Sequence, residues 1–152
     1  MRRSVQSLLA ERAGQLHALA ATQSVAEAVA LMNRTNVGAI LVLDPDQTLQ
    51  GIFTERDVLR RVIENRLDIE TTLLESVMTR EVYWIAPDSA VDDAMAIVSE
   101  RNIRHIPVMD GAKVLGMISV RDLTAAVVED RELELAELTS YMHGSYGGSP
   151  HL

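Results

Sequence analysis

An α/β fold made of two pseudo-symmetric repeats, each running strand, helix, strand, strand, helix, is predicted by three observations. Shifted by 66 residues, 21–44 falls on 87–110 and pairs Val25 with Val91, Ala28 with Ala94, Ala30 with Ala96, Asn36 with Asn102, Ile40 with Ile106, Val42 with Val108 and Asp44 with Asp110. One residue then drops out. At a shift of 65 the match continues through Gly51 and Gly116, Arg56 and Arg121, Asp57 and Asp122, and Val62 and Val127, with Thr54 opposite Ser119. Finally, each copy changes its apolar period in the same order, from helical spacing to short β-forming runs and back. A unit too small to bury its own apolar face must pack against its copy.

The elements follow in chain order. A leading helix is predicted over 4–13, then a weak strand at 16–19 with a stronger counterpart at 82–85. Val25, Ala28, Val29, Leu31 and Met32 keep the spacing of an amphipathic helix, as do Val91, Ala94, Met95, Ile97 and Val98. Ser24 and Ser89 are candidate N-caps, and polar stops close the helices at 33–36 and 99–102. Buried strands are predicted at 39–43 and 105–109, each followed by a turn and an antiparallel partner at 48–53 or 113–118. Gly51 and Gly116 mark a bulge or a close backbone approach in those partners. Helices follow over 55–65 and 120–129. A short helical turn falls within 67–78, and Leu133, Leu135, Leu138, Tyr141 and Met142 lie in a separate final helix over 131–142. The Gly- and Ser-rich end, 144–150, is expected to be mobile unless a partner subunit pins it. The chain thus divides into a leading helix (1–15), repeat 1 (16–66), a linker (67–76), repeat 2 (77–130) and a C-terminal helix with tail (131–152).

Composition narrows the function. With 152 residues, 47% of them hydrophobic, the chain suits one compact domain or two small units sharing a core. Asp and Glu number 22 against 14 Lys and Arg, and a net charge of −8 argues against nucleic acid as a partner. No Cys is present, which removes disulfides, thiolate metal sites and cysteine nucleophiles. No run approaches the roughly 18 apolar residues of a membrane span, and Met1-Arg2-Arg3 leads into Ser4, Gln6, Glu11 and Arg12 rather than an apolar leader core, so a cytoplasmic, soluble protein is expected. Aromatics are 3% of the chain, so a flat ligand must be gripped by aliphatic side chains and backbone. His17, His105, His143 and His151 form no triad or metal-ligand spacing, so neither an enzyme nor a metal site is expected.

The most specific local signal is Gly51-Ile52-Phe53-Thr54-Glu55-Arg56-Asp57, repeated as Gly116-Met117-Ile118-Ser119-Val120-Arg121-Asp122. Two readings stand together. Thr54 and Ser119 cap helices whose third residue is an acid. The same geometry offers N–H groups and a hydroxyl to a phosphate and a carboxylate to a ribose diol, with Arg56 and Arg121 as candidate phosphate contacts.

These motifs, with Arg104-His105-Ile106-Pro107-Val108-Met109-Asp110 and Val77-Met78-Thr79, resemble a tandem pair of CBS (cystathionine-β-synthase) domains, a Bateman module. The resemblance covers about 16–128. It implies two repeats packed through their sheets around a pseudo-two-fold axis, with two clefts that bind an adenosyl ligand such as AMP, ADP, ATP, NAD or S-adenosylmethionine. It also implies a homodimer. Carried over residue by residue, Asp57 and Asp122 would hold the ribose, and Thr54 and Ser119 would bind near ribose and phosphate. Gly38, Ala39 and Ile40, with Arg104, His105 and Ile106, would line the base pocket between walls of Val37, Ile103 and Pro107. Thr22, Met78, Thr79 and Val82 would complete the lining.

The copies differ in charge. Arg104 and His105 stand where the first copy has Gly38 and Ala39, and Glu55 puts an extra acid beside the phosphate position expected in the first cleft. The cleft built on Ser119 and Asp122 is therefore expected to bind phosphate more strongly than that built on Thr54 and Asp57. The alternative for His105 is a core histidine. The expected function is an adenine-nucleotide-binding regulatory module that senses energy or metabolite state and, by population shift, acts on a separate effector protein or changes its own assembly. The competing function is a ligand-free dimerisation scaffold.

Overall fold

The computed structural model describes residues 2–12 and 16–145. Each repeat is built on an amphipathic helix followed by a β-hairpin. Ser24 caps α2 (Val25–Thr35): its Oγ accepts the Glu27 N–H at 3.2 Å while the Glu27 carboxylate accepts the Ser24 N–H at 2.9 Å. The counterpart, α5 (Val91–Glu100), is capped one residue later than expected. Ala90, not Ser89, takes the cap position, and Asp93 accepts its N–H at 3.3 Å. Asn36 and Asn102 recur because both helices exit through the left-handed region, at φ 55° and 51°, where Asn is among the best-tolerated non-glycine residues.

The first hairpin joins β2 (Ala39–Leu43), buried along its whole length, to β3 (Leu49–Thr54); the second joins β4 (His105–Asp110) to β5 (Lys113–Ser119). Both are antiparallel, and both carry a register shift at the matched step, Val42/Leu43 and Val108/Met109. β1 (Ala18–Leu19) runs parallel to β2 and completes a three-stranded sheet. The strand expected at 82–85 is absent: a single parallel bridge, Ile85 to Val108, remains at the position matching Leu19 and Val42. Proline chemistry accounts for this. Leu41 donates its N–H to the His17 carbonyl at 3.0 Å, but the matched residue is Pro107, which has no N–H to give.

Each repeat is completed by a helix from before the other one. α1 (Val5–Arg12) buries Val5, Leu8 and Leu9 in the core of repeat 2, beside Ile85, Val91, Ile106 and Leu123. The short α4 (Leu74–Val77) buries Leu74, Val77 and the following Met78 in the core of repeat 1, beside Val25, Ile40, Phe53 and Val62. At about 1.5–3 kcal/mol for each large apolar side chain, these triplets are substantial parts of small cores. The leading and linker segments are therefore counterparts within the repeat, not additions to it. They also explain the paired glycines. A Cβ on Gly51 would lie 2.7 Å from the Thr79 carbonyl oxygen, and one on Gly116 would lie 2.7 Å from Leu9 Cδ1.

Two helices differ from expectation. The one after Thr54 starts as α3 (Glu55–Asp57) and widens at once into a π-helical stretch, Val58–Ile63. The last, α6 (Val120–Ser145), is one helix of 26 residues where two were expected. No Gly or Pro interrupts it before Gly144, so the helix runs on through the charged pair Glu129-Asp130. Past Asp130 every residue to Gly144 is exposed. Gly144 and Ser145 thus finish α6; the rest of the Gly- and Ser-rich tail lies outside the described residues, as does Ala13 of the expected leading helix.

Candidate functional site

A cleft of about 830 Å³ opens between the repeats. Repeat 1 contributes Val37, Gly38, Ala39 and Leu41 at the start of β2, Val29, Met32, Asn33 and Asn36 from α2, and Glu55, Val58 and Leu59. Repeat 2 contributes Arg104, His105, Met117, Ser119, Val120, Arg121 and Asp122; Arg12, Leu16 and His17 complete the wall. Of the residues expected in a binding site, the cleft gathers Val37, Gly38, Ala39, Arg104, His105, Ser119, Arg121 and Asp122.

The turn into α6 carries the most developed polar geometry. Asp122 Oδ2 accepts the Ser119 N–H at 3.1 Å and the Ser119 hydroxyl at 2.9 Å, and the Asp122 N–H returns to Ser119 Oγ at 3.1 Å. Asp122 lines the cleft, and among the described residues its Oδ1 has no hydrogen-bond donor. Free N–H groups were expected here, but two of the first three in α6 are taken. Val120 donates to the Arg104 carbonyl at 2.8 Å and Asp122 to Ser119. Only the Arg121 N–H has no protein acceptor among the described residues.

The matched turn in repeat 1 is closed on itself. Asp57, 6% exposed, accepts the Thr54 N–H at 3.1 Å and the Thr79 hydroxyl at 3.0 and 3.2 Å, and its Oδ1 lies 3.4 Å from Arg61 Nε. Thr54 Oγ1 is spent on the Asp57 N–H at 3.2 Å. Arg56, expected to contact phosphate, instead donates to the Asn102 carbonyl at 2.9 Å across the repeats. Thr54, Asp57 and Thr79 therefore form an internal tie, Arg56 is bonded to the other repeat, and none of the four lines the cleft. The remaining expected residues also lie elsewhere. Ile40, Met78 and Ile106 are core, Ile103 packs on the second core, and Pro107 is buried in β4. Thr22 is exposed in the turn before α2, and Val82 is half-buried away from the cleft.

Charge in the cleft differs from expectation at two positions. Glu55, assigned to the first cleft, lines this one: a Cβ on Gly38 would sit 3.4 Å from the Glu55 carboxyl carbon and 3.2 Å from His105 Cε1. Gly38 is thus the space that the His105 ring occupies. Burial holds the imidazolium of His105 below its ordinary pKa of 6.5, against the pull of Glu55 and Asp122 and with a smaller push from Arg104. His105 is a neutral donor and acceptor near neutral pH rather than a cation. The cations on the wall are Arg12, Arg104 and Arg121, against Glu55 and Asp122. Arg12 and His17 escaped the sequence reading because their segment joins the cleft only through the exchange of α1; the signal was the apolar triplet Val5, Leu8, Leu9, which parallels Leu74, Val77, Met78.

Comparison with known proteins agrees with this architecture. The family model described as CBS domain matches twice, over 13–64 and 74–129. The chain is 38% identical over 127 residues to the CBS domain-containing protein CBSX3, mitochondrial, of Arabidopsis thaliana; the match covers 81% of this chain and 62% of the length of that relative. A crystal structure of a CBS domain superposes with a TM-score of 0.79 at 34% identity, covering 84% of this chain and 99% of the other. The same fold occurs in a Pyrobaculum aerophilum CBS domain protein complexed with AMP, with a TM-score of 0.71 at 22% identity over 79% of this chain and 89% of that one. It occurs again in a CBS domain pair in complex with 5′-methylthioadenosine and S-adenosyl-L-methionine, with a TM-score of 0.76 at 23% identity over 86% of this chain and 99% of that one.

Proposed function

The chain belongs to the CBS domain family, and from that premise we propose that it is an adenine-nucleotide-binding regulatory module with one working cleft. The observation that carries this reading is the free carboxylate oxygen of Asp122 beside Ser119 in a cleft whose size lies within the range of small-molecule sites, about 300–1,000 Å³. Asp122 would take the ribose diol. Aliphatic walls from Leu16, Val29, Met32, Val37 and Leu41 would hold the adenine, and the Arg121 N–H with Arg104 and Arg121 would receive phosphate. Complexes of the same fold with AMP and with S-adenosyl-L-methionine favour an adenosyl ligand; three guanidiniums against two carboxylates favour a phosphorylated one.

Because both repeats line the cleft, a bound ligand would favour one relative arrangement of the halves, and a separate effector protein would read the difference. The chain would act as a homodimer through matched outer positions. Ile63 and Val128 fall on one another at the 65-residue shift and are 58% and 49% exposed. Sedimentation of wild type and Ile63→Glu is expected to give a dimer and a monomer respectively. The nucleotide reading is tested by thermal melts with AMP, ATP, NAD and S-adenosylmethionine. A ligand at 100 times its Kd adds about 2.7 kcal/mol to the state it binds, and no shift with any of them would leave the scaffold function standing.

A further inference from the structure

Among the described residues, one cation on the cleft wall is already committed elsewhere. Arg12, at the last position of α1, lines the cleft and pairs with the Glu129 carboxylate of α6. Arg104 and Arg121 have no carboxylate partner among the described residues. Glu129 lies just past Ala126, the last buried residue of α6, and just before the stretch 131–144 that is exposed throughout. The pair therefore sits where the helix leaves the core. Arg3 holds the same point more loosely, 3.3 Å from Glu129 and 3.6 Å from Asp130.

We propose that Arg12 contacts the phosphate of the cleft ligand in competition with Glu129, so that occupancy of the cleft is coupled to the free half of α6. The assignment rests on the nucleotide reading above. A guanidinium presents its donors in one planar fork, and a phosphate engaged bidentately takes the edge that a carboxylate would otherwise occupy. Binding therefore weakens the Arg12 to Glu129 pair, Arg3 keeps α6 attached, and the segment beyond Asp130 gains freedom. By linkage, whatever detaches Glu129 from Arg12 must tighten phosphate binding by the same factor.

The test is calorimetric titration of the full chain with AMP and with adenosine, in wild type, Arg12→Gln, Arg12→Lys, Glu129→Gln and the double variant Arg12→Gln/Glu129→Gln, each first shown to melt cooperatively. Arg12→Gln is expected to weaken AMP about tenfold, the scale of one charge-assisted hydrogen bond, with adenosine unchanged within about twofold. Arg12→Lys recovers part of the loss. Glu129→Gln tightens AMP about threefold, the scale of an exposed ion pair, and has no effect once Arg12 is Gln. Hydrogen exchange in 131–145 rises with AMP in wild type and not in Arg12→Gln. Equal losses for AMP and adenosine in Arg12→Gln, or an AMP affinity indifferent to Glu129→Gln, overturn the Arg12 assignment while leaving the nucleotide site intact. Absence of heat from both ligands in wild type overturns the site and the assignment together.

Discussion

The Arg56 guanidinium donates to the carbonyl oxygen of Asn102 at 2.9 Å and straps one repeat to the other. By repeat symmetry the same strap should join Arg121 to Asn36, yet those two residues line the open cleft and make no such bond. One seam is tied and the other is left open. Removing the strap should therefore cost stability and not affinity. Arg56→Gln is expected to lower the unfolding free energy in urea by about 1 kcal/mol, the net worth of a typical hydrogen bond, while AMP affinity stays within about twofold of wild type. A loss of affinity larger than the loss of stability would place Arg56 in the binding site.

The two matched aspartates should separate in the same way. Asp57 has donors on both oxygens because Thr79 and Arg61 face it; the positions that would serve Asp122 hold Ala10, at the offset of the paired core triplets, and Ala126. Asp57→Ala removes a cap and leaves the Thr79 hydroxyl and Thr54 N–H without their acceptor, a loss of about 2–4 kcal/mol in chemical unfolding. Asp122→Ala removes the acceptor of the Ser119 N–H and hydroxyl but no contact to a distant segment, a loss of about 1 kcal/mol, and is expected to abolish nucleotide-dependent stabilisation. Equal unfolding costs for the two substitutions would contradict this division.

Elements specified by local signals are legible in the sequence. Helices α2 and α5, both hairpins and the bulge positions follow from apolar period and turn residues within a dozen positions. Ser119 and Asp122 stand out in the sequence because the motif occurs twice, but nothing local pairs them with Val37 to Ala39 across the cleft. What escaped was set by contacts between distant segments. The α1 and α4 triplets match at 69 residues, an offset that neither 66 nor 65 reveals, so Arg12 and His17 had no visible route to the cleft. Two like motifs could not disclose that Thr79 and Arg61 saturate one and that no described residue saturates the other. Glu55 was assigned to the wrong cleft for a related reason: a helix start belongs to its own repeat in sequence but faces the other repeat in space.

The matched glycines should respond unequally to alanine. At both, an added Cβ would lie 2.7 Å from its nearest neighbour, but at Gly51 that atom is the Thr79 backbone carbonyl oxygen and at Gly116 it is the tip of Leu9. A leucine tip can change rotamer; the Thr79 carbonyl is fixed by accepting the Ile52 N–H at 2.9 Å. Gly51→Ala is expected to cost about 3 kcal/mol and Gly116→Ala about 1 kcal/mol, within the range for overpacking. Adding Leu9→Ala should recover part of the second loss relative to Leu9→Ala alone and none of the first, measured as coupling in a double-mutant cycle.

His105 makes stability depend on pH in a defined direction. Its ring packs against Gly38 and faces Glu55 and Asp122, with Arg104 beside it, and burial outweighs the two carboxylates to hold its pKa below 6.5 in the native state. Above 6.5 the ring is neutral folded and unfolded, and its contribution to stability is fully present. As pH falls below 6.5 the unfolded chain binds a proton that the native state refuses, so stability declines until the native ring also titrates. Urea midpoints measured from about pH 7.5 to about pH 5.5 should therefore fall more steeply for wild type than for His105→Gln, which has no proton to bind in either state. A steeper fall in His105→Gln would mean that Glu55 and Asp122 outweigh burial and that the ring is a cation in the native cleft. The same titration bears on ligand binding, because a phosphate that draws a proton onto His105 would bind more tightly at the acid end of that range.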